Sequence, residues 1–317
     1  MSSHRFIAIA LLAIACAGCA TSTPVAEVRV VGKAFEDLNG ASAPLFDDLA
    51  VAERINGKEA ARIRVEKRAK GEKIDPALDR CEKLLLAEVP GDVKVQVGFC
   101  GPDSYYYSEI ADPPGTASFR RSIAAIQGYT NVLLILAEGR NLEAAQAEVQ
   151  ALVGNVGGAL EIAGAGAAGV TLKVFTESIQ PLLDIAARRA NAKELARVVK
   201  DVSPKAVDVI AKLRETAPVL FTMLTEQPLL RFRDKDGGLK VKAIAEAERN
   251  RIDAYRIAVS NYVVLLDQYE HLLQQLVAAY DTEGKTLTLA GLVEQSAQLS
   301  AQADAWRRTY SALRMGF

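Results

Sequence analysis

Histidine is nearly missing from this 317-residue chain, which has only His4 and His271. A zinc site built on imidazole, or a nucleophile activated by a neighbouring imidazole, has almost nothing to draw on. The chain also lacks a Gly-x-Ser-x-Gly elbow and a His-Glu-x-x-His pair. Carboxylates are plentiful, but no spacing among them singles out a pair for general acid–base work. These absences leave no catalytic residue, no cofactor-binding residue and no metal ligand to assign. Charge imbalance is absent as well: 38 Lys and Arg face 39 Asp and Glu, a net charge of −1. Such a chain has no overall basic field with which to hold nucleic acid non-specifically.

A membrane-spanning run is missing from the body of the chain. Between Glu148 and Lys173 the only ionisable side chain is Glu161. The flanking apolar tracts, 149–160 and 162–172, have twelve and eleven residues, too few to cross a bilayer independently. Joined into one span they would bury Glu161 in hydrocarbon at a cost of about 3 kcal/mol, and their glycines weaken a helix further.

What is present begins with residues 1–19, MSSHRFIAIALLAIACAGC: a basic start at Arg5, an apolar run from Phe6 to Ala15, and small residues before a cysteine. That arrangement reads as an export signal. It resembles the signal of bacterial lipoproteins, in which the peptide is cut before a cysteine that then carries acyl chains. The matching residues are Ala17-Gly18-Cys19, with Cys16 standing where that family usually has Leu. Ala13-Ile14-Ala15-Cys16 is a second, poorer candidate for the cut. The resemblance implies lipidation at Cys19, and Ala20 in the following position implies sorting to the outer membrane of a Gram-negative cell. It covers only the first twenty residues and so implies an address, not an activity. More than one acyl chain makes such an anchor stable, whereas a single chain binds only marginally.

Two cysteines remain downstream, Cys81 and Cys100. In an oxidising compartment an even pair at this spacing reads most simply as one disulfide. Closing that loop would stabilise the fold by about 3 kcal/mol; two separate buried thiols are the alternative.

Along the chain we expect a signal peptide over 1–18, a lipidated tether over 19–26, a small mixed region over 27–116 and a helical bundle over 117–317. In the mixed region the pattern predicts a helix from Pro44 to Lys70, dense in both charge signs in its second half, and a shorter one from Pro76 to Ala87. A mixed run of this kind is usually a solvated helix face. Val93, Val95, Val97 and Phe99 alternate with more polar or small residues, the period of a half-buried strand. Tyr105, Tyr106 and Tyr107 lie in a loop and are either a binding rim or partly core.

From Ser118 onward the periodicity is helical. Phe119, Ile123, Ile126, Thr130, Leu133 and Ala137 mark one stripe, and Phe175, Ile179, Leu182 and Ala186 mark another, bent at Pro181. Ser203-Pro204 predicts a helix start, with serine as the cap and proline at the first helical position. That helix should kink at Pro218. The strongest signal runs from about Leu239 to Tyr280, where Ile252, Tyr255, Val259, Tyr262, Leu266, Tyr269, Leu273, Leu276 and Tyr280 step by three and four. After a turn at 281–285, Leu289, Leu292, Ser296, Leu299, Ala303, Trp306, Tyr310 and Leu313 repeat it, so the two helices should be antiparallel neighbours. Val263, Leu265 and Leu272 broaden the stripe beyond a two-stranded coil, which argues for a multi-helix bundle.

Three motifs invite a chemical reading and fail its context. Gly164-Ala165-Gly166-Ala167-Ala168-Gly169 satisfies the dinucleotide-binding pattern, with Asp184 twenty residues beyond Gly164. That motif needs a strand, a tight turn and a parallel sheet, and no strand–helix alternation follows. Gly284-Lys285-Thr286 looks like the end of a phosphate loop, yet it follows a long helix, and Asp281 and Glu283 would repel phosphate. His271 could be a general base, but its heptad position puts it on the outer face.

The fold class expected is therefore mainly α, an elongated multi-helix bundle with long antiparallel helices and a small mixed N-terminal region containing at least one strand. The expected role is non-enzymatic: an outer-membrane lipoprotein on the periplasmic face, held to the membrane by its lipid anchor, presenting helical faces to an envelope protein. No nucleotide and no nucleic acid partner is expected. The alternative uses the Gly- and Ala-rich segment 154–172 as a hairpin able to enter a bilayer, an arrangement that looks like the tongue of alpha-helical pore-forming toxins in architecture only.

Overall fold

A computed structural model describes residues 25–73, 111–138, 192–230, 246–281 and 289–314, together with positions 143 and 147. Among the described residues the chain is almost entirely helical, with six segments and no strand. They are α1 (Val25–Ala69), α2 (Pro114–Ala137), α3 (Ala192–Glu215), α4 (Ala217–Leu230), α5 (Glu246–Asp281) and α6 (Leu289–Arg314). The strand expected over Val93–Phe99 and the helix from Pro76 to Ala87 lie outside the described residues, as do the second stripe around Pro181 and residues 239–245.

The longest element is α1, whose 45 residues span roughly 67 Å at 1.5 Å per residue. It begins well before the expected start at Pro44, and Val25 and Ala26 are already helical rather than part of a tether. Its N-terminal stretch earns that helix by tertiary burial: Val28, Val31, Phe35, Leu38, Leu45 and Leu49 recur at helical spacing and are all buried. Pro44 sits inside the helix and costs one rung of the ladder. At the far end Gly71 adopts φ +71°, and the Glu72 amide donates back to the Lys67 carbonyl at 3.0 Å, a left-handed glycine termination.

α1 shares one core with all the other segments. It packs against α2 in antiparallel sense: Glu53 meets Gly115, Asp47 meets Arg120 and Arg29 meets Glu138. α5 also runs antiparallel to α1, with Phe35 against Tyr269 at 4.5 Å and Phe46 against Tyr262 at 5.7 Å between ring centroids. α6 returns antiparallel to α5, as the short connection predicts, since Trp306 meets Tyr262 and Tyr310 lies near Tyr255. Its most extensive contact is nevertheless with α1. A hairpin reading of the two C-terminal helices could not see this, because the partner lies more than two hundred residues earlier.

The C-terminal seam is buried through most of its expected length, while Tyr280 and Leu313 at its ends and Val263 beside it are only half-buried. Tyr255, Val259, Tyr262, Leu266, Tyr269, Leu273 and Leu276 are buried on α5, as are Leu292, Ser296, Leu299, Ala303, Trp306 and Tyr310 on α6. Leu265 and Leu272 are buried beside the seam, which is the broad stripe of a multi-helix bundle.

The expected helix start at Ser203-Pro204 is displaced. α3 begins at Ala192, and both residues lie inside it. The buried Ser203 hydroxyl shares a 2.6 Å hydrogen bond with the Tyr129 hydroxyl of α2, instead of capping its own helix. Pro204 is exposed, so its bulk meets no neighbour. The kink expected at Pro218 is a break two residues earlier, at Thr216, between α3 and α4. The Thr216 hydroxyl donates to the Lys212 and Leu213 carbonyls at 2.9 and 3.0 Å, closing the end of α3.

Candidate functional site

The densest polar arrangement lies where the middle of α1 meets the start of α2, the first half of α5 and the end of α6. It starts from a local deficit. α2 opens with Pro113-Pro114 and has no side-chain cap of its own, so its first amides need a partner. Glu53 supplies it from α1: one carboxylate oxygen accepts from the Gly115 amide at 2.7 Å, the other from the Thr116 amide at 2.8 Å and the Thr116 hydroxyl at 2.9 Å. A negative charge at this end also suits the helix dipole. A Cβ on Gly115 would stand 3.1 Å from both carboxylate oxygens, so the cap depends on glycine there.

Asp47 and Asp48, about a turn and a half earlier on α1, reach in different directions. Asp47 pairs with Arg120 at 2.6 Å, and Arg120 also reaches Asp112 at 3.0 Å while its guanidinium lies over the Phe46 ring. Asp48 accepts from the Tyr310 hydroxyl at 2.6 Å and pairs with Arg314 at 2.9 Å, both one turn apart on α6. Burial raises the Asp48 carboxyl above its ordinary range, against the opposing effects of Tyr310 and Arg314. Burial likewise pushes the Tyr310 phenol up, helped by the Asp48 charge beside it. Arg251 approaches from α5, near Asp48, and lies over the Tyr255 ring.

A second polar cluster ties α3 to α5. Arg214 pairs with Asp267 and, at 2.7 Å, with Glu270. His271 stands on the exposed face of α5, as its heptad position predicts, with Nδ1 2.9 Å from the Asp267 carbonyl. An aromatic chain runs through the core from Phe119 by way of Phe46, Tyr262 and Trp306 to Tyr310; Tyr129 and Tyr262 are wholly buried, and burial pushes their phenols up. The Tyr262 hydroxyl and the Trp306 indole nitrogen have no hydrogen-bond partner in the protein.

Chemically, the carboxylates of the first cluster are occupied by two amides, two hydroxyls and guanidinium groups of the same chain. The arrangement clasps four helix segments together. Among the described residues no group of three or more His, Cys, Asp or Glu is placed to hold a metal ion, and no helix is long and apolar enough to cross a membrane. Cys19, Cys81, Cys100, Tyr105, Tyr106 and Tyr107 lie outside the described residues, as do segment 154–172, Asp184 and Gly284-Lys285-Thr286. The clasp itself was missed by sequence reading. Glu53 and Thr116 are 63 positions apart and Asp48 and Tyr310 are 262 apart, and no local pattern marks either pair. Compared with models of protein families, with curated proteins and with solved structures, the chain matches none.

Proposed function

We propose that this protein is a lipoprotein anchored through Cys19 to the periplasmic face of an outer membrane, with Cys81 and Cys100 joined as a disulfide. Its helical bundle acts as a structural or interaction element, without enzymatic chemistry, that presents its outer faces to another envelope protein. The observation that carries this reading is a set of aliphatic side chains left outside a core that is already closed. Val219 on α4, Ile257 and Val264 on α5 and Val293 on α6 are 41–52% exposed, although each helix already buries a full stripe. Isolated surface aliphatics are ordinary, but Ile257 and Val264 recur seven residues apart on one helix face, the register a partner helix would use.

Two measurements test the two halves of this proposal. Metabolic labelling with a clickable fatty acid should mark the wild-type chain and fail on Cys19→Ala; equal labelling of both would remove the anchor. A photo-crosslinking residue placed at Val264 should yield one discrete adduct in cells, while the same residue at Arg308, on the exposed face of α6, should not. Identical adduct patterns at both positions would sink the interaction reading.

A further inference from the structure

α1 continues past its fully buried stretch, with Asn56 still donating to the Met223 carbonyl of α4 at 3.0 Å. Its last buried side chain among those described is Ala50, yet the helix continues to Ala69, roughly 28 Å further at 1.5 Å per residue. The composition changes there. Residues 54–73 contain eight Lys or Arg against three Glu, an excess of five positive charges, in a chain whose total is −1. Large aliphatics accompany the charge: Val51, Ile55 and Ile63 are 51, 42 and 38% exposed. At 100° per residue Val51 and Ile55 fall opposite the face that carries Leu38, Leu45 and Leu49 into the core. Lys67 in the last turn, and Lys70 and Lys73 just past the helix end, are all exposed.

Lysines near a helix C-terminus complement its dipole, and mixed charges are ordinary on a solvated face. Neither accounts for outward valine and isoleucine beside an excess of one sign on the same stretch of chain. A basic helix with exposed aliphatics is matched by an anionic bilayer surface, where the aliphatics enter the headgroup boundary and the cations meet phosphate. An acidic protein would instead require carboxylates placed to match particular cations, and the positive positions here are spread around the helix rather than gathered on one side.

We propose that residues 51–73, the distal part of α1 and the turn that ends it, dock on the surface of an anionic phospholipid membrane. This goes beyond the anchor at Cys19 and does not depend on it. The test therefore uses the full chain carrying Cys19→Ala, so that loss of the anchor and loss of docking are read separately. The chain is floated with vesicles of phosphatidylglycerol and phosphatidylcholine, and with vesicles of phosphatidylcholine alone. Docking predicts flotation with the first only, weakening steeply as sodium chloride rises. The triple variant Lys67→Glu, Lys70→Glu, Lys73→Glu should lose binding by at least roughly tenfold. Arg307→Glu with Arg308→Glu, on the exposed face of α6, should bind as the parent does. Val51→Asp with Ile55→Asp gives a second reading of the same surface and should also weaken binding. Sodium phosphate should displace the chain no better than chloride of equal ionic strength. Equal binding to neutral vesicles, insensitivity to salt, equal losses in the α1 and α6 variants, or selective displacement by phosphate would each overturn the proposal.

Discussion

Glu53 is half-buried and satisfies three donors at the start of a neighbouring helix, so its contribution is set by what it leaves behind when removed. Glu53→Ala should destabilise the fold by about 2 kcal/mol, the range of a lost cap with charge-assisted bonds, as read by urea unfolding. Gly115→Ala should destabilise too, because the added methyl group must push the carboxylate away by a few tenths of an ångström. The two variants share one contact, so combining them should cost less than the sum. Tyr262 poses the opposite case. Its hydroxyl is buried without a protein partner, so Tyr262→Phe should be neutral or stabilising, whereas Leu266→Ala on the same helix should cost about 2–5 kcal/mol. Asp48 carries a pH dependence. Its carboxyl is raised in the folded state above the ordinary 3.8, so the folded chain binds its proton more tightly than the unfolded chain. The contribution of Asp48 to stability is then fully present below pH 3.8 and declines as pH rises through the raised value. Urea unfolding from pH 3 upward should find the cost of Asp48→Asn largest at the acid end and smaller near neutrality. A cost that grows with pH would reverse the sign and place the carboxylate, not the acid, as the stabilised form.

At the scale of elements, α3 shows how a tertiary bond displaces a local rule. Serine followed by proline is a sound helix start by capping logic, yet Ser203 turns inward to Tyr129 and the helix runs through it. Pro204 is then an interior proline on an exposed face. Pro204→Ala should stabilise the fold by about 2 kcal/mol, the regained rung exceeding the entropy that proline removes from the unfolded chain, with a matching rise in melting temperature. The last turns of α6 depend on α1 for their place, since Tyr310 and Arg314 both end on Asp48. The seams of α5 and α6 were legible because burial repeats every third and fourth residue over many turns. The early start of α1 was not, because its apolar stripe is interrupted by Gly32, Gly40 and Pro44 and becomes decisive only when α5 and α6 supply the other side of the core.

For the molecule as a whole, the bundle is built from segments scattered along the chain, and its first and last described helices are its most intimate neighbours. Crosslinking at Val264 and flotation of the α1 variants address different faces of that bundle, so each can fail alone. By itself the sequence determined the helical class, the register of the two C-terminal helices and the outer position of His271. Each of these follows from a period or a local rule that one segment carries in full. It also sets the expectation of an anchor at Cys19, which the bundle leaves untouched. Only the tertiary structure decided that α1 belongs to the bundle, that Glu53 caps α2, and that Asp48 holds the end of α6. Those depend on residues 63 and 262 positions apart meeting in space. A charged side chain carries no periodic mark of its partner, so its role appears only when packing of the apolar faces has brought the helices together.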